Sequence, residues 1–570
     1  MNLTKQFTIH TMPRSFTFLI LNFSFLIFIA SSCAAQPLSN KKQFSRQDTL
    51  RGTITPERAW WNVLRYDIQV TPDYTTKTIQ GKNRITVSVL KAGEILQLDL
   101  QDPMIIDEVN LVSLVAKNSN MRNLAVKHDG NAWFITMPSV PAQSVQTLEV
   151  AFHGKPREAV RAPWDGGWIW SKDKQGRPWM TVACQGLGAS VWYPCKDHQS
   201  DEPDSGASLS ITVPDTLVAV GNGRLAGKAT GNGTATYTWQ VKNPINNYNI
   251  IPYIGKYVTW HEDFAGEKGN LDCDYWVLDY NLAKAKGQFK QAAKMLKCFE
   301  YWFGPYPFYE DSYKLVETPH LGMEHQSAVA YGNGFQNGYL GRDLSGSGWG
   351  NKWDFIIVHE SGHEWFANSI TTNDIADMWV HEGFTNYSET LFTTCEYGVE
   401  AGNAYCTGTR ALIENDIPII GAYGVNQEGS GDMYYKGGNL LHTIRQIINN
   451  DSTFRGILRG LNKTFYHKTV TTKEVEDYIS RQSGIDLSKV FDQYLRTTQI
   501  PVLEYSIKGK DLRFRFANCV KGFGMPVKVK LGNEEKWIRA NEEWTIISGN
   551  SNVSNLTVDK NFYITAKKVS

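Results

Sequence analysis

The sequence lacks any C-x-x-C pair, any internal repeat and any excess of charge of one sign. Without a C-x-x-C pair, neither a cysteine zinc site nor a thioredoxin-like redox motif has support. The 58 Lys and Arg residues and 57 Asp and Glu residues give a formal charge of +1, which leaves no global basic field for binding nucleic acid. We therefore expect neither a repeat protein nor a cysteine-based redox protein, and we expect no nucleic-acid partner.

The chain has enough apolar residues to build several cores. Hydrophobic residues make up 42% and charged residues 20% of its 570 residues, which is typical of a globular protein. At roughly 150 residues per domain, this length predicts three to four domains. Aromatic residues, at 12%, can serve cores and clefts, but their number alone indicates no particular ligand.

Long hydrophobic runs are scarce, since the sequence has one, between Phe16 and Ala30. It follows basic residues and precedes the small residues 31–35, which is the layout of a secretory signal. The run is too short for a comfortable bilayer span, so we predict export without a transmembrane segment, to the periplasm, cell surface or medium. Cleavage after Ala35 is favoured over cleavage before Cys33, which would leave a lipid anchor on that cysteine.

Eight cysteines remain to be placed in an exported chain, and removing or lipidating Cys33 leaves an odd number. At least one thiol therefore stays unpaired. The candidates for disulfides that lie close in sequence are Cys184 with Cys195 and Cys395 with Cys406, although connectivity does not follow from sequence.

The local patterns predict a multidomain α+β protein. Segments such as Tyr66–Val70 and 83–90 alternate β-forming residues between turn residues, whereas 283–303 has apolar residues at helical spacing. Segments such as 513–516 return to alternation. We predict a signal peptide (1–35), a flexible leader (36–58), an N-terminal antiparallel β domain (59–260), a mainly helical domain (261–500) and a small C-terminal β-sandwich (501–570).

The strongest chemical motif is His359-Glu360-Ser361-Gly362-His363. On a helix the two histidines lie one turn apart on the same face, where both imidazoles can bind one Zn²⁺ at about 2.0–2.1 Å. Glu360 would lie beside the open position of the metal, where a carboxylate can take a proton from water. The sequence therefore predicts one catalytic zinc ion.

A catalytic zinc ion usually has three protein ligands, and Glu382 is the best candidate for the third. Eighteen residues separate it from His363, which is enough for a turn and a return helix. His381 is the rival, but neighbouring helical residues point about 100° apart, and the Trp-x-x-Glu frame favours Glu382. We interpret His381 as structural or exposed, and Asn386 either as a residue that supports a ligand by a hydrogen bond or as an exposed polar residue.

This spacing of His359, Glu360, His363 and Glu382 resembles the zinc site of the aminopeptidase N family of gluzincins, which includes leukotriene hydrolase. The resemblance spans about 440 residues, from the strand at Tyr66 to Leu503. Two further motifs are similar to those of the family. Gly322-Met323-Glu324-His325 stands where the family has Gly-x-Met-Glu-Asn, and Tyr434-Tyr435-Lys436-Gly437 matches Tyr-x-Lys-Gly.

The resemblance implies a thermolysin-like catalytic domain and a role for each motif. Glu324, in the stretch with Gly322 and Met323, would bind the free amine of a peptide by a charge-assisted bond. Gln185 matches a family position that shares this contact. The Tyr-x-Lys-Gly register assigns Tyr434 to the oxyanion that forms at the scissile peptide, and it leaves Tyr435 to pack elsewhere.

Two features depart from the family pattern. His325 replaces the family Asn with a larger, titratable side chain that can hydrogen-bond a substrate backbone. The sequence also has no room after its β tail for the long helical domain that encloses the site in many relatives, so we expect a more open cleft.

The main hypothesis is an exported zinc aminopeptidase that removes N-terminal residues from peptides by attack of zinc-activated water. The alternatives are a thermolysin-type endopeptidase, an epoxide hydrolase and a catalytically inactive surface binding protein on the same scaffold. An endopeptidase has no need for Glu324 in its Gly-x-Met-Glu context, and no separate feature supports epoxide hydrolysis. The complete set of base, ligands and tyrosine argues against the inactive protein.

Overall fold

The computed structural model describes residues 43–115, 118–548 and 555–570. The predicted signal peptide, including Cys33, lies outside these residues. In the described parts of the chain, no helix combines the length and the apolar character needed to cross a bilayer.

The leader is the first correction to the sequence prediction. Residues from 43 onward begin with helix α1 (Arg46–Gly52), whose N-terminus has a capping box between Ser45 and Asp48. Arg51 pairs with Asp197 of the β domain at 3.0 Å. The prediction of a flexible leader is therefore wrong for its described part. The polar composition of this segment gave no sign of a capped helix that is held to the β domain by an ion pair.

The strands of the N-terminal domain form three sheets. Its strands are β1 (Trp61–Asp73), β2 (Thr78–Val89), β3 (Ile95–Asp99), β4 (Ile105–Val115), β5 (Asn118–Asn123), β6 (Val126–Asp129), β7 (Ala132–Thr136), β8 (Val145–Gly154), β9 (Gly167–Lys172), β10 (Pro178–Ala183), β11 (Ala207–Pro214), β12 (Val218–Val220), β13 (Arg224–Gly231), β14 (Thr234–Val241) and β15 (Tyr253–Gly255). The sheet orders are β13-β14-β11-β1-β2-β8-β4-β5, β12-β15-β10-β9 and β3-β7-β6. The pairing is antiparallel apart from β1 with β11, which is parallel.

Alternating burial explains why these segments form sheets. In β11, for example, every second residue is buried, so one face of the strand packs on the core while the other is more accessible. Trp168 and Trp192 fill the core between the sheets and contact each other edge to face at 6.1 Å.

The second, mainly helical domain contains a five-stranded mixed sheet, a separate two-stranded sheet and a set of helices. Its elements are β16 (Tyr257–Gly266), β17 (Gly269–Leu278), α2 (Leu282–Gln288), α3 (Gln291–Phe303), β18 (Tyr313–Glu317), β19 (Gly322–Met323), β20 (Val329–Tyr331), α4 (Phe355–Gly362), β21 (Ile370–Thr372), α5 (Trp379–Tyr397), α6 (Val399–Gly408), α7 (Tyr435–Ile448), α8 (Asp451–Thr464), β22 (Lys468–Val470), α9 (Thr472–Ser483) and α10 (Ser488–Arg496). The sheet order is β16-β17-β18-β20-β19, which leaves β19 at an edge.

The predicted domain boundary at residue 260 falls inside β16, which pairs with β17 of the catalytic sheet along its whole length. The period of a strand does not show which sheet it joins, so sequence alone could not place this boundary. The segment 283–303, whose apolar residues have helical spacing, forms two helices, α2 and α3.

A disulfide joins Cys298 in α3 to Cys395 in α5. Neither of the two candidate pairs that lie close in sequence forms, since Cys184, Cys195 and Cys406 are free and buried. The two bonded cysteines are 97 residues apart and meet because α3 packs against α5.

The C-terminal region forms two facing sheets. Its strands are β23 (Val502–Lys508), β24 (Asp511–Ala517), β25 (Gly524–Leu531), β26 (Glu534–Asn541), β27 (Thr545–Ile547), β28 (Leu556–Val558) and β29 (Thr565–Lys568), in the orders β27-β24-β23-β29 and β26-β25-β28. Phe514, Val527 and Phe523 are buried between them. The predicted α+β fold class, with its β-rich, helical and C-terminal β parts, is confirmed.

Candidate metal and peptide-binding site

Helix α4 carries His359 and Glu360 of the His-Glu-x-x-His motif, and His363 follows as its C-cap residue; all three are buried. Asp354 caps its N-terminus by accepting hydrogen bonds from the backbone N–H groups of Ile356 and Ile357. The first turns are apolar on all sides, which is why this short helix lies in the interior. The buried cap and the apolar turns hold the motif rigidly.

The three predicted zinc ligands lie together. Glu382 is in the first turn of α5, and its Oε2 is 3.3 Å from Nε2 of His363 and 3.7 Å from Nε2 of His359. One ligand atom from each residue lies within 4.8 Å of the other two, and all three residues are buried. Two imidazoles and one carboxylate around a common point are the donor set of a catalytic zinc site.

The surroundings of these donors fit a metal ion. Oε2 of Glu382 is buried, and no side chain in the described parts of the chain makes a regular hydrogen bond to it. A buried carboxylate oxygen without a donor is costly unless a cation compensates it.

The far nitrogen of each histidine is fixed by an acceptor. Nδ1 of His359 donates to Oε1 of Glu389 at 2.7 Å, and Nδ1 of His363 donates to the carbonyl of Phe366 at 3.0 Å. These bonds leave both Nε2 atoms unprotonated and directed at the metal position. The sequence reasoning did not assign Glu389 a role, although its position seven residues after Glu382, two turns along one helix face, was a usable signal.

Asn386 supports the site indirectly. Its Nδ2 donates to both oxygens of Glu389, at 3.2 and 3.3 Å, and the hydroxyl of Tyr405 donates to Oε2 of Glu389 at 2.5 Å. Asn386 therefore holds the carboxylate that holds His359. His381 is structural, since it is buried, lies outside the ligand group and accepts a bond from the backbone N–H of Thr372 at 2.9 Å.

A second cluster lies beside the metal position. Oε1 of Glu324 accepts hydrogen bonds from Nε2 of Gln185 at 2.6 Å and from the hydroxyl of Tyr248 at 2.9 Å. The structure therefore brings together the two residues predicted to bind a substrate amine, and it adds Tyr248, which sequence reasoning missed. Burial raises the pKa of Glu324.

Glu324 also lies close to Glu360 and His363 of the His-Glu-x-x-His motif. One oxygen of Glu324, one of Glu360 and one ring nitrogen of His363 all lie within 4.8 Å of one another. The main chain of Glu324 is fixed from the other side, because its carbonyl accepts a bond from Nδ2 of Asn368 at 2.8 Å. The cluster sets the carboxylate within one amino-acid length of the metal position.

Glu360 faces this space from α4, and Gly322 of strand β19 packs against it. A Cβ on Gly322 would lie 2.7 Å from Oε1 of Glu360 and 2.9 Å from Cγ2 of Ile356, so only glycine allows the strand this close to the helix. Burial raises the pKa of Glu360 to about 7, against the lowering effect of His359 and His363. A carboxylate with a pKa in this range can exchange a proton near neutral pH.

Both tyrosines of the Tyr-x-Lys-Gly motif line the same cavity. The ring of Tyr434 is stacked against that of His359 with 6.0 Å between centroids. Tyr435 was expected to pack elsewhere, and this expectation is wrong. It begins α7 and forms part of the cavity wall.

The cavity wall comes from both large domains. It contains the predicted site residues together with residues that sequence reasoning did not select. The complete lining is Pro163, Trp164, Gln185, Leu321, Gly322, Met323, Glu324, Tyr339, Phe355, Ile356, His359, Glu360, His363, Glu382, Asn386, Tyr434 and Tyr435. Pro163 and Trp164 come from the β domain and had no motif to mark them.

His325, which replaces the family Asn, lies outside this lining. It is fully buried, and its Nδ1 is 2.5 Å from the hydroxyl of Tyr253, which in turn donates to the carbonyl of Ala328. Burial holds the pKa of His325 well below its usual value. The side chain therefore secures the turn after Glu324 instead of facing the cavity as the sequence suggested.

Two family models match the chain, together over more than half of its length. The Peptidase M1 N-terminal domain matches residues 62–248, and the Peptidase family M1 domain matches residues 288–494. The chain belongs to peptidase family M1. The second range contains all three metal-ligand candidates, and the first contains Gln185.

Relatives of this M1 chain include leukotriene A-4 hydrolase of Xenopus laevis, which is 23% identical over 75% of this chain and 68% of its own length. Probable aminopeptidase 2 of Sulfurisphaera tokodaii is 20% identical over 74% of this chain and 53% of its own. The chain spans about half the length of several such aminopeptidases. The M1 zinc metallopeptidase of Deinococcus radiodurans, crystallised as a point mutant bound to a Tyr-Ser-Ala substrate, shares the fold, with a TM-score of 0.66 at 20% identity, over 79% of this chain and 98% of that one.

These comparisons confirm the family expected from the sequence and the expected enzyme class, a zinc-dependent aminopeptidase. The expected cofactor, Zn²⁺, is confirmed by the family and by the donor set of His359, His363 and Glu382.

Proposed function

We propose that this M1 protein is an exported aminopeptidase that removes single residues from the free N-termini of peptides. The observation that supports this most directly is the position of Glu324, whose carboxylate lies within 4.8 Å of Glu360 and His363. An ammonium held there leaves room for one residue between the amine and the metal position, so the first peptide bond is the one presented for cleavage.

A zinc ion held by His359, His363 and Glu382 would act as a Lewis acid that polarises the scissile carbonyl and lowers the pKa of the attacking water. Glu360 takes a proton from that water and delivers it to the leaving amine. Glu324 and Gln185 bind the substrate ammonium, with Tyr248 holding the carboxylate in place. Tyr434 donates a hydrogen bond to the oxyanion that develops on the former carbonyl, which stabilises the transition state more than the substrate.

Export is part of the proposal and rests on the N-terminal sequence. It is supported by the disulfide between Cys298 and Cys395, since such bonds persist in oxidising compartments. Either signal cleavage or lipidation at Cys33 would deliver the chain to the same side of the membrane.

The decisive experiment compares wild type with a Glu360→Gln variant. The variant should keep one zinc per chain, measured by atomic absorption, because Glu360 is not a ligand, and its turnover of an aminoacyl anilide should fall about 10²–10⁴-fold because the proton acceptor is lost. Chelation should abolish wild-type activity, and zinc should restore it.

Substrate pairs complete the test. A peptide with a free amine should be cleaved, while the same peptide with an acetylated N-terminus should be inert because it offers Glu324 no charge. Equal cleavage of both would indicate an endopeptidase. A zinc-loaded wild type that hydrolyses no member of an aminoacyl anilide panel would identify a binding protein on the same scaffold.

A further inference from the structure

We propose that a lysine-lined cleft next to the zinc cavity binds acidic residues on the downstream side of the peptide substrate. The inference rests on the proposed function, because it extends the same substrate beyond the scissile bond. It gives the enzyme a preferred substrate class, namely peptides of about five or more residues with acidic side chains after the third position.

The cleft has free positive charge on an aromatic surface. Three lysines line it, Lys172 and Lys174 at the end of β9 and Lys284 on α2, together with Trp179, Tyr280 and Phe335. All three lysines are exposed, and among the described residues no carboxylate lies within ion-pair distance of their ammonium groups. Unpaired ammonium groups that converge on one cleft favour an anionic occupant.

The carboxylates at the cleft are already engaged. Glu317 is buried, and its oxygens accept bonds from the backbone N–H of Leu278 at 2.8 Å and from Nδ2 of Asn281 at 2.7 Å. Asp173 and Asp279 both pair with Arg177, at 2.6 and 2.7 Å. Arg177 and the three lysines are four cations against these three carboxylates, so the surroundings of the cleft keep a net positive charge.

Strand register places the cleft close to the scissile position. In β20, Tyr331 pairs with Gly322 on one side and with Glu317 on the other. Gly322 lines the zinc cavity and Glu317 lines the lysine cleft, so two strand spacings, about 10 Å, separate these two walls. At about 3.3 Å per extended residue, three substrate residues span this distance.

The rim between the two spaces is short and accessible. It is the bend at 319–321, where Leu321 lines the zinc cavity and Pro319 lines the lysine cleft, and both residues are partly exposed. A chain leaving the zinc cavity can therefore cross directly into the cleft.

The chain direction at the site leads the substrate towards this rim. The ammonium is held at Glu324, and the protein chain then runs back past Gly322, opposite Glu360, to Leu321. Strand β19 is the edge of its sheet, and both of its residues, Gly322 and Met323, line the zinc cavity, so an extended peptide in the cavity lies beside this edge. A peptide with its amine at Glu324 and its first carbonyl at the metal thus extends along β19, and its fourth and fifth residues reach the lysines.

The test compares hexapeptides that differ in the presence and in the position of two acidic residues. Leu-Ala-Ala-Ala-Glu-Glu should be cleaved about tenfold more efficiently, in kcat/KM at low ionic strength, than Leu-Ala-Ala-Ala-Gln-Gln. Moving the acids to give Leu-Glu-Glu-Ala-Ala-Ala should remove most of this advantage. Raising the salt concentration should reduce it as well, because exposed charge pairs are screened.

Lysine variants test whether the preference for the acidic peptide comes from the cleft. Replacing Lys172, Lys174 and Lys284 together by Gln should lower the preference for the acidic tail to about twofold or less while leaving Leu-anilide hydrolysis unchanged. The matched control replaces Lys91, Lys290 and Lys297, three exposed lysines outside the cleft, and should keep the full preference. A preference that survives in the first triple variant overturns the assignment to the cleft.

Binding measured without turnover separates the two proposals. Isothermal titration of the zinc-loaded Glu360→Gln protein should show tighter binding of the Glu-tailed than of the Gln-tailed hexapeptide, and the lysine variants in that background should lose the difference. Equal affinity and equal kcat/KM for the two tails overturn the lysine cleft while leaving aminopeptidase activity intact. If the wild-type protein hydrolyses no anilide, the proposed function is overturned. The titration would still show whether the cleft binds the Glu-tailed peptide more tightly than the Gln-tailed one.

Discussion

Glu389 shows how one residue outside every recognised motif completes the metal site. Its Oε1 accepts the Nδ1 proton of His359, and two further donors, from Asn386 and Tyr405, fix its position. A carboxylate in this position orients the imidazole and makes it a better ligand.

Replacing Glu389 by Gln should weaken zinc binding about 10–100-fold, because the amide is a poorer acceptor for the imidazole N–H. Competition with a chromophoric chelator measures the change in the zinc dissociation constant. The control is Glu396→Gln, on the same helix, whose carboxylate pairs with Lys294 on the outside of the fold. Unchanged zinc affinity in the Glu389 variant would contradict the role of this carboxylate in holding His359.

The register of the two neighbouring tyrosines is testable at the same scale. Tyr434→Phe should lower kcat about 10²–10³-fold with little change in KM, since its hydroxyl acts on the transition state, and Tyr435→Phe should leave kcat within a few-fold. Both lie in the cavity wall, so steady-state kinetics on the pair is required to separate them. The reverse order of effects would move the oxyanion role to Tyr435.

At the scale of elements, glycines set how closely the parts of the site approach. A Cβ on Gly437 of α7 would lie 3.0 Å from Cα of Gly383 in α5, so these helices touch through a pair of glycines. This contact places the start of α7, with its tyrosines, next to the turn that holds Glu382. The Gly of Tyr-x-Lys-Gly is therefore a packing requirement of the motif.

Gly322→Ala should disturb the site more than the fold. The added methyl would meet Oε1 of Glu360 at 2.7 Å and push β19 from α4, so kcat/KM should fall about 10²-fold while the melting temperature changes little. Gly287→Ala, in α2 with open space around the new methyl, is the control and should keep full activity. Full activity in the Gly322 variant would mean that the edge strand can shift without cost.

At the scale of the whole molecule, the amine-binding cluster depends on the contact between two domains. Gln185 and Tyr248 belong to the β domain, and Glu324 belongs to the catalytic domain. The segment before β1 joins the same two units, since Thr53 donates to the carbonyl of Gly424 and Arg58 pairs with Asp99. The segment therefore bridges the two units that supply the amine-binding residues.

Arg58→Ala should lower the free energy of unfolding of the β domain by about 3–5 kcal/mol, because it leaves Asp99 buried without its cation. The Arg58 side chain is 0% exposed and lies 2.5 Å from Oδ2 of Asp99. Arg46→Ala is the control, since its pair with Asp129 is largely exposed and solvent screens it. Urea unfolding followed by tryptophan fluorescence gives both values, and equal midpoints for the two variants would contradict the role of the buried pair.

The sequence by itself determined the metal donors and the order of the domains. His359 and His363 are identifiable because local helical geometry fixes where residues four apart point, and that geometry does not depend on the rest of the fold. Glu382 was identified instead from the eighteen residues that separate it from His363 and from its Trp-x-x-Glu frame. The antiparallel β character of the first domain and the helices of the second also follow from local periodicity.

Only the tertiary structure decided what meets across long separations in the chain. It paired Cys298 with Cys395, turned His325 away from the cavity, added Tyr248 and Trp164 to the site and packed the described part of the leader, from residue 43, against two domains. These outcomes depend on how sheets and helices pack, and local patterns contain no information about which buried surfaces face each other. The sequence therefore indicated the chemistry of the site, while packing between domains determined the room around the substrate.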